Sequence, residues 1–197
     1  AGNVTVTGNW TANGGTFTPN TSTVTFTGTV AQTIFRTGGE TFYNAAFSNA
    51  GTKTLNSPIT TTRDFTINNN SPVDVSASNH QITVRGNFSN SGTFTARSGN
   101  VFMNGTIAQT IGGTSTTDFF DLTLNNNAGA SLLQNENIIG ALVLNNGIFN
   151  VNTRNLTLIS TATGSGRIAQ ITGSGDISGN VIVQRYAPGG YTGWAFL

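Results

Sequence analysis

The sequence predicts an all-β fold, a right-handed parallel β-helix (a β-solenoid) with about 20 residues per coil. Three observations carry that expectation. Apolar residues come in short alternating triplets, turn-forming pairs separate them, and much of the chain is written twice.

The triplets begin with Val4-Thr5-Val6, Val24-Thr25-Phe26, Phe65-Thr66-Ile67, Val73-Asp74-Val75 and Ile82-Thr83-Val84. They continue with Val101-Phe102-Met103, Leu122-Thr123-Leu124, Leu142-Val143-Leu144, Leu156-Thr157-Leu158 and Val181-Ile182-Val183. Successive side chains of a strand point to opposite faces, so alternation over β-branched residues marks half-buried strands. No segment carries apolar residues at helical spacing over three turns, so helix is expected to be nearly absent. Asn-Gly, Gly-Gly, Ala-Gly and Asn-Asn pairs fill the gaps and supply the positive φ values of tight turns.

The repeat is long. Val4-Thr-Val-Thr-Gly-Asn-Trp10 returns as Ile82-Thr-Val-Arg-Gly-Asn-Phe88, an offset of 78. Val24 to Ile34 (VTFTGTVAQTI) returns as Val101 to Ile111 (VFMNGTIAQTI), an offset of 77. A third start at Leu156 to Leu158 soon diverges. Equivalent apolar residues recur about every 20 positions, at Val4, Val24, Phe47, Phe65, Ile82, Val101, Leu122 and Leu142. That spacing suits a three-sided coil, and each repeat is expected to hold four coils. Residues 1–180 then form one solenoid from two full repeats (about 4–81 and 82–155) and a divergent third, 156–180. Residues 181–197 hold the last strand and a junction to a further domain. Nine or ten coils at the spacing of paired strands give a rod roughly 45 Å long. The competing architecture, tandem immunoglobulin-like β-sandwiches, needs longer strands and a linker at each repeat boundary. Ser76 to Val84 crosses that boundary without proline or clustered charge, which favours the solenoid.

Composition excludes several function classes. Charged residues are 8% of the chain, eight Lys and Arg against seven Asp and Glu, and the basic ones are scattered. Nucleic acid is therefore not an expected partner. Cysteine is absent, which removes disulfides and thiolate metal sites. No run of 18 apolar residues exists, so no membrane-spanning helix is expected. The chain opens at Ala1 without an initiator methionine and stops at Trp194-Ala195-Phe196-Leu197, which suggests a part of a longer polypeptide.

Comparing the two copies separates what the coil requires from what it does not. The kept positions are mostly apolar or glycine: Gly8 and Gly86, Trp10 and Phe88, Phe42 and Phe119, Gly51 and Gly129. Gln32 and Gln109 are kept as well, and a buried amide bonding backbone at a corner is the expected reason. Charges change: Glu40 becomes Thr117, Arg63 becomes Gly140, Asp64 becomes Ala141, and Asn44 becomes Asp121. They are expected to be incidental surface residues, and any site would exist in one copy only.

No catalytic, cofactor or metal residue is assigned. The best carboxylate candidates for acid–base or cation chemistry are Asp118 and Asp121, flanking Phe119-Phe120. Arg63-Asp64 is expected to be a local ion pair, and His80, the lone histidine, to sit in a polar turn. Gly-x-Ser-x-Gly, His-Glu-x-x-His and calcium-repeat patterns are missing. Thr-x-Thr runs such as Thr23-x-Thr25-x-Thr27 suggest a water-ordering, ice-binding face, but Thr25 and Thr27 become Phe102 and Asn104 in the second copy. Asn-x-Ser/Thr occurs at Asn3, Asn9, Asn20, Asn69, Asn87, Asn104 and Asn155, as chance provides in a chain rich in these residues.

Gly8 to Thr18 (GNWTANGGTFT), Val24 to Ile34 and Phe119 to Gly129 (FFDLTLNNNAG) resemble repeats in large secreted and surface proteins of Bacteroidota. Gly179 to Leu197 resembles a junction in such proteins between a repetitive β region and further domains. The resemblance implies export by the type IX secretion system, an extracellular or cell-surface location and an adhesin-like role. It implies as partners other cell-surface or secretion-system proteins. No sorting domain of that route is found in these residues. Three function classes stay open: a structural stalk without catalysis, a carbohydrate-binding or polysaccharide-active β-helix, and an ice-binding protein. Glycans are partners the Thr- and Asn-rich faces suit.

Overall fold

The computed structural model describes residues 2–188, and every structural statement concerns these residues. The chain winds as a β-solenoid of nine turns that lay short strands on the three sides of a column, the first and last turns on two of them among the described residues. No helix is present among the described residues.

The first side stacks Val4–Val6, Thr23–Phe26, Asn44–Phe47, Phe65–Ile67, Phe88–Asn90, Gln109–Gly113, Ala130–Leu132, the end of Ala141–Asn150, and Ser174–Ser178. Its register runs Val4, Val24, Ala45, Phe65, Phe88, Ile111, Leu132, a nearly even step in which each turn returns to the same side. The second side begins with Trp10–Ala12, Gln32–Arg36, Lys53–Leu55, Pro72–Asp74 and Thr93–Thr95. It resumes with Thr117–Phe119, Glu136–Ile138, Leu156–Leu158 and Val181–Val183. The third side holds Glu40–Phe42, Ile59–Thr61, Ile82–Val84, Asn100–Met103, Asp121–Asn125, the start of Ala141–Asn150, and Arg167–Ile168. Parallel pairing joins the turns. The exception among the described residues is a hairpin of Ser160–Thr161 with Gly164–Ser165, inserted into the eighth turn. Nine rungs at the ordinary strand spacing give a column about 40 Å long.

Tandem sandwiches are thereby replaced by one column, and the recurrence of apolar triplets is the turn itself. The count of turns per repeat differs from expectation. Val4–Val6 lies on the first side, whereas its repeat partner Ile82–Val84 lies on the third. Gln32–Arg36 lies on the second side and its partner Gln109–Gly113 on the first. One repeat therefore spans eleven sides, three and two-thirds turns, instead of twelve. The apolar series of Val4, Val24, Phe47 and Phe65 follows the first side, then jumps at Ile82 to the third. The same local sequence therefore serves on more than one side of the column.

Inward parity builds the core. Val24, Phe26, Phe42, Phe47, Phe65, Ile67, Phe88, Phe119, Leu132, Leu144 and Phe149 are all essentially inaccessible. Stacked turns bring like residues into register, so phenylalanines form a spine. Phe26 and Phe47 stack at 5.4 Å, Phe47 and Phe65 lie 4.9 Å apart, and Phe65 and Phe88 stack at 5.5 Å with planes 4° apart. Trp10 and Phe17 meet edge-on at 5.0 Å at one end of this spine.

The second side has a break. Thr93–Thr95 and Thr117–Phe119 touch without a backbone ladder between them. Asn90 points inward there, and its amide donates to Thr117 Oγ1 at 3.2 Å. Gly113, at φ 124°, packs so closely that a Cβ would stand 2.0 Å from the Asn90 carbonyl oxygen, which only glycine avoids.

Truncating the spine is expected to cost far more than altering the outer surface. Phe65→Ala should lose about 3–5 kcal/mol by chemical denaturation. Thr66→Ala, on the outward side of the same strand, should change stability by about 0.5 kcal/mol or less.

Candidate functional site

Corners of a coil leave backbone groups that strand pairing cannot reach, and buried unpaired groups are costly. Side chains close them. Gln32 accepts from the Gly28 N–H at 2.6 Å and donates to the carbonyls of Val6 (3.1 Å) and Gly8. Gln109 repeats the arrangement with Gly105 N–H, the Val84 carbonyl and the Gly86 carbonyl. Both amides are buried, so the corner role expected of them holds. The fold-back explains the glycine that precedes each by one corner: a Cβ on Gly28 would lie 2.4 Å from the Gln32 side chain.

Asparagine and aspartate oxygens do similar work at the turn-to-turn step. Thr33 N–H donates to Asn9 Oδ1 and Thr110 N–H to Asn87 Oδ1, each at 2.8 Å. Asp64 N–H donates to Asn44 Oδ1 at 3.0 Å, and its counterpart Ala141 N–H donates to Asp121 Oδ1 at 2.7 Å. The exchange of Asn44 for Asp121 thus preserves one bond. Asn3, Asn9 and Asn87, three of the Asn-x-Ser/Thr positions, have their side-chain oxygens committed in this way.

The charged candidates are dispersed. Asp118 accepts from Asn137 Nδ2 at 2.7 Å on the outer second side, whereas Asp121 holds its corner bond on the third. Arg63 and Asp64 do not form the ion pair expected of them, because Asp64 Oδ1 accepts the Asn87 N–H at 2.8 Å. His80 lies in the turn after Val75, its N–H donating to the Val75 carbonyl. Among the described residues no three His, Asp or Glu side chains gather closely enough to hold a metal ion. No helix among them is long and apolar enough to cross a membrane. Outward threonines rank at Thr41, Thr60 and Thr83 on the third side, then Phe102 interrupts them.

The expectation that charges are incidental surface residues is overturned at three positions. Glu40 is 3% exposed, and Lys53 and Glu136 are fully buried. Glu40 accepts the Trp10 indole N–H at 2.8 Å, with Arg36 at 3.8 Å. Lys53 sits on Gln32 in register and donates to the carbonyls of Gly28 (3.2 Å), Asn49 (2.7 Å) and Ser48. Burial pulls its ammonium below the usual lysine range. In the second copy Asn126 serves that corner, its amide donating to the Ile107 and Gly129 carbonyls. Glu136 Oε2 accepts the Thr117 N–H, while Oε1 has no partner. Burial pushes this carboxyl up to about 8. Each of the three stands at an inward position of its strand, in Glu40-Thr41-Phe42, Lys53-Thr54-Leu55 and Glu136-Asn137-Ile138. That parity was the available sequence signal.

An outer groove lies along the corner that follows the third side. Gly105 and Thr106 stand between two hollows of about 420 and 350 Å³. The first is lined by Arg63, Arg85, Asn104 and Ile107, the second by Asn125, Asn127 and Asn146. On the second side the outer charges Arg97 and Asp74 are tied in a bidentate pair at 2.6 and 2.7 Å. That pair holds the Asp74 carboxyl below its usual range. Compared with known protein families, characterised proteins and solved structures, the chain matches none.

The buried polar groups should reveal themselves in stability measurements. Gln109→Leu strands the Gly105 N–H and two carbonyls and should cost on the order of 3 kcal/mol by denaturant titration; Gln81→Leu, on the exposed surface, should cost little. The Glu136 carboxyl, protonated in the fold up to about pH 8, ionises in the unfolded chain near 4.5. The folded state therefore holds the extra proton, and stability from this group falls as pH rises between those values, then levels off. Glu136→Gln keeps the bond from Thr117 and removes that decline. Melting curves should show the variant a few kcal/mol more stable than wild type at pH 9 and little different at pH 4.

Proposed function

We propose that this chain is a structural stalk or display segment of an extracellular, adhesin-like surface protein and performs no catalysis. One observation carries the reading: the two copies repeat the core and corners of the column, yet stand one side apart around it. A surface that worked by repetition along one side would need the copies in phase. Here the interior and the corners are reproduced, and outward strand residues such as Thr25 and Phe102 are free to differ. Backbone ladders and a continuous core along all nine turns suit a spacer of fixed length. The resemblance of Gly8 to Thr18, Val24 to Ile34 and Phe119 to Gly129 to Bacteroidota surface repeats supports a cell-surface setting and type IX export. The junction proposed for Gly179 to Leu197 includes residues 189–197, which lie outside the described residues.

The test is a distance and an activity measured on the same protein. With fluorophores placed at residues 3 and 179, energy transfer should report one narrow separation near the column length, unchanged from dilute to crowded solution. The same preparation should release neither reducing ends nor unsaturated products from neutral and acidic polysaccharides. A broad distance distribution would remove the spacer role, and product release would make the chain an enzyme.

A further inference from the structure

The groove beside Gly105 and Thr106 has a composition that the column does not need. One residue past the third-side strands, Thr62, Arg85 and Asn104 fall on successive turns, because Thr61, Val84 and Met103 are in register. Asn125 and Asn146 continue the rank, with Asn125 Nδ2 donating to Asn104 Oδ1 at 3.4 Å and Asn146 Nδ2 to Asn125 Oδ1 at 2.7 Å. Five turns at strand spacing make a polar strip about 20 Å long, parallel to the axis. Arg63 flanks Arg85 at the same end, its carbonyl accepting the Gly86 N–H.

Three features of this strip point outward. Among the described residues neither the Arg63 nor the Arg85 guanidinium makes a hydrogen bond or ion pair, and both are exposed. The acid nearest in sequence, Asp64, has its Oδ1 engaged by the Asn87 N–H. Ile107, at the lip of the first hollow, is 52% exposed and leaves an apolar surface beside the two cations. The arrangement exists once: Arg63 and Arg85 are replaced in the other copy by Gly140 and Thr7.

We infer that this groove binds an acidic glycan, its carboxylate or sulfate held by Arg63 and Arg85 and its hydroxyls by the Asn104–Asn125–Asn146 rank. A guanidinium presents its N–H donors in a planar fork that matches an oxyanion in two-point contact. Amides both donate and accept, as does a sugar hydroxyl. Ile107 offers its apolar surface to the C–H face of a ring. Two cations at one end and neutral amides over the remainder favour a linear chain with spaced charges, and are too few for a polyphosphate backbone. The inference is independent of the stalk reading, since a spacer can carry a binding strip without ceasing to be one.

Calorimetric titration of the whole chain with three hexasaccharides of equal length tests it: a polyuronate, a sulfated glycan and a neutral glucan. At least one acidic ligand should bind tenfold or more tightly than the neutral one, and the stronger of the two identifies the oxyanion. The double variant Arg63→Gln/Arg85→Gln should reduce that affinity at least tenfold, to the neutral level, with an unchanged circular dichroism spectrum. Raising the salt concentration should weaken the acidic ligand alone. Equal binding of all three, binding of none, or a double variant as tight as wild type would overturn the inference. Inorganic sulfate binding as tightly as the sulfated hexasaccharide would overturn the glycan part, since the asparagine rank would then contribute nothing.

Discussion

Everything in this molecule depends on each turn returning to the same three-sided outline. Only then do N–H and C=O groups find partners one turn on, and only then do inward side chains fall on their own kind. Strands of three to five residues supply most of the ladder. They cannot supply the corners, and there the column uses side chains in place of backbone. The glutamines Gln32 and Gln109, Lys53 and Asn126 differ in chemistry, yet each turns a polar head onto carbonyls that a corner has left facing inward. Buried cation and buried amide are alternatives here because several carbonyl oxygens offer partial negative charge to either one. The amide solution carries no desolvated charge, whereas the lysine draws stability only from complete pairing.

The one-side displacement between copies follows from the same constraint. The repeating unit is one side short of four turns, and such a unit is tolerated only if no side is special to the core. The buried glutamine shows that this is so: it closes a corner between the first and second sides in one copy and between the third and first in the other. Exterior patterns have no such freedom. A rank of residues built by duplication is carried to a neighbouring side, so an outer feature that extends along the axis has to arise within one copy or at the seam between two. The polar strip from Thr62 to Asn146 crosses that seam.

Most of the fold was legible in the sequence because inward parity, turn pairs and period are local signals that survive without tertiary information. The phase of the repeat was not legible, since Phe65 to Ile82 changes side over 17 residues whereas Phe47 to Phe65 keeps its side over 18. The triplets alone hide it, because each looks like every other. The buried charges escape for a different reason. A comparison of copies finds which residues are kept, but Glu40 and its counterpart Thr117 are both buried, and the corner that Lys53 closes is closed in the second copy from a different position, Asn126. A position can therefore change identity while its burial and its task persist. Asn44 and Asp121 make the point most simply, since an amide and a carboxylate accept the same bond.

The outer arginines were invisible to the sequence because their significance lies in what they lack. Along the chain Arg63, beside Asp64, reads as the paired cation, and Arg97, between Ala96 and Ser98, as the free one. In the fold Arg97 reaches Asp74 one turn away and is neutralised in two-point contact, while Asp64, adjacent to Arg63, is drawn off by a backbone N–H. Whether a surface cation is free to meet a ligand is decided by the turn-to-turn register, which sets who stands beside it one turn later. Arg63 and Arg85 are about one turn apart, and that interval places two unneutralised forks together at the head of an asparagine rank. A chain with eight basic residues in all has few opportunities for such a pairing, and the register of this column makes one.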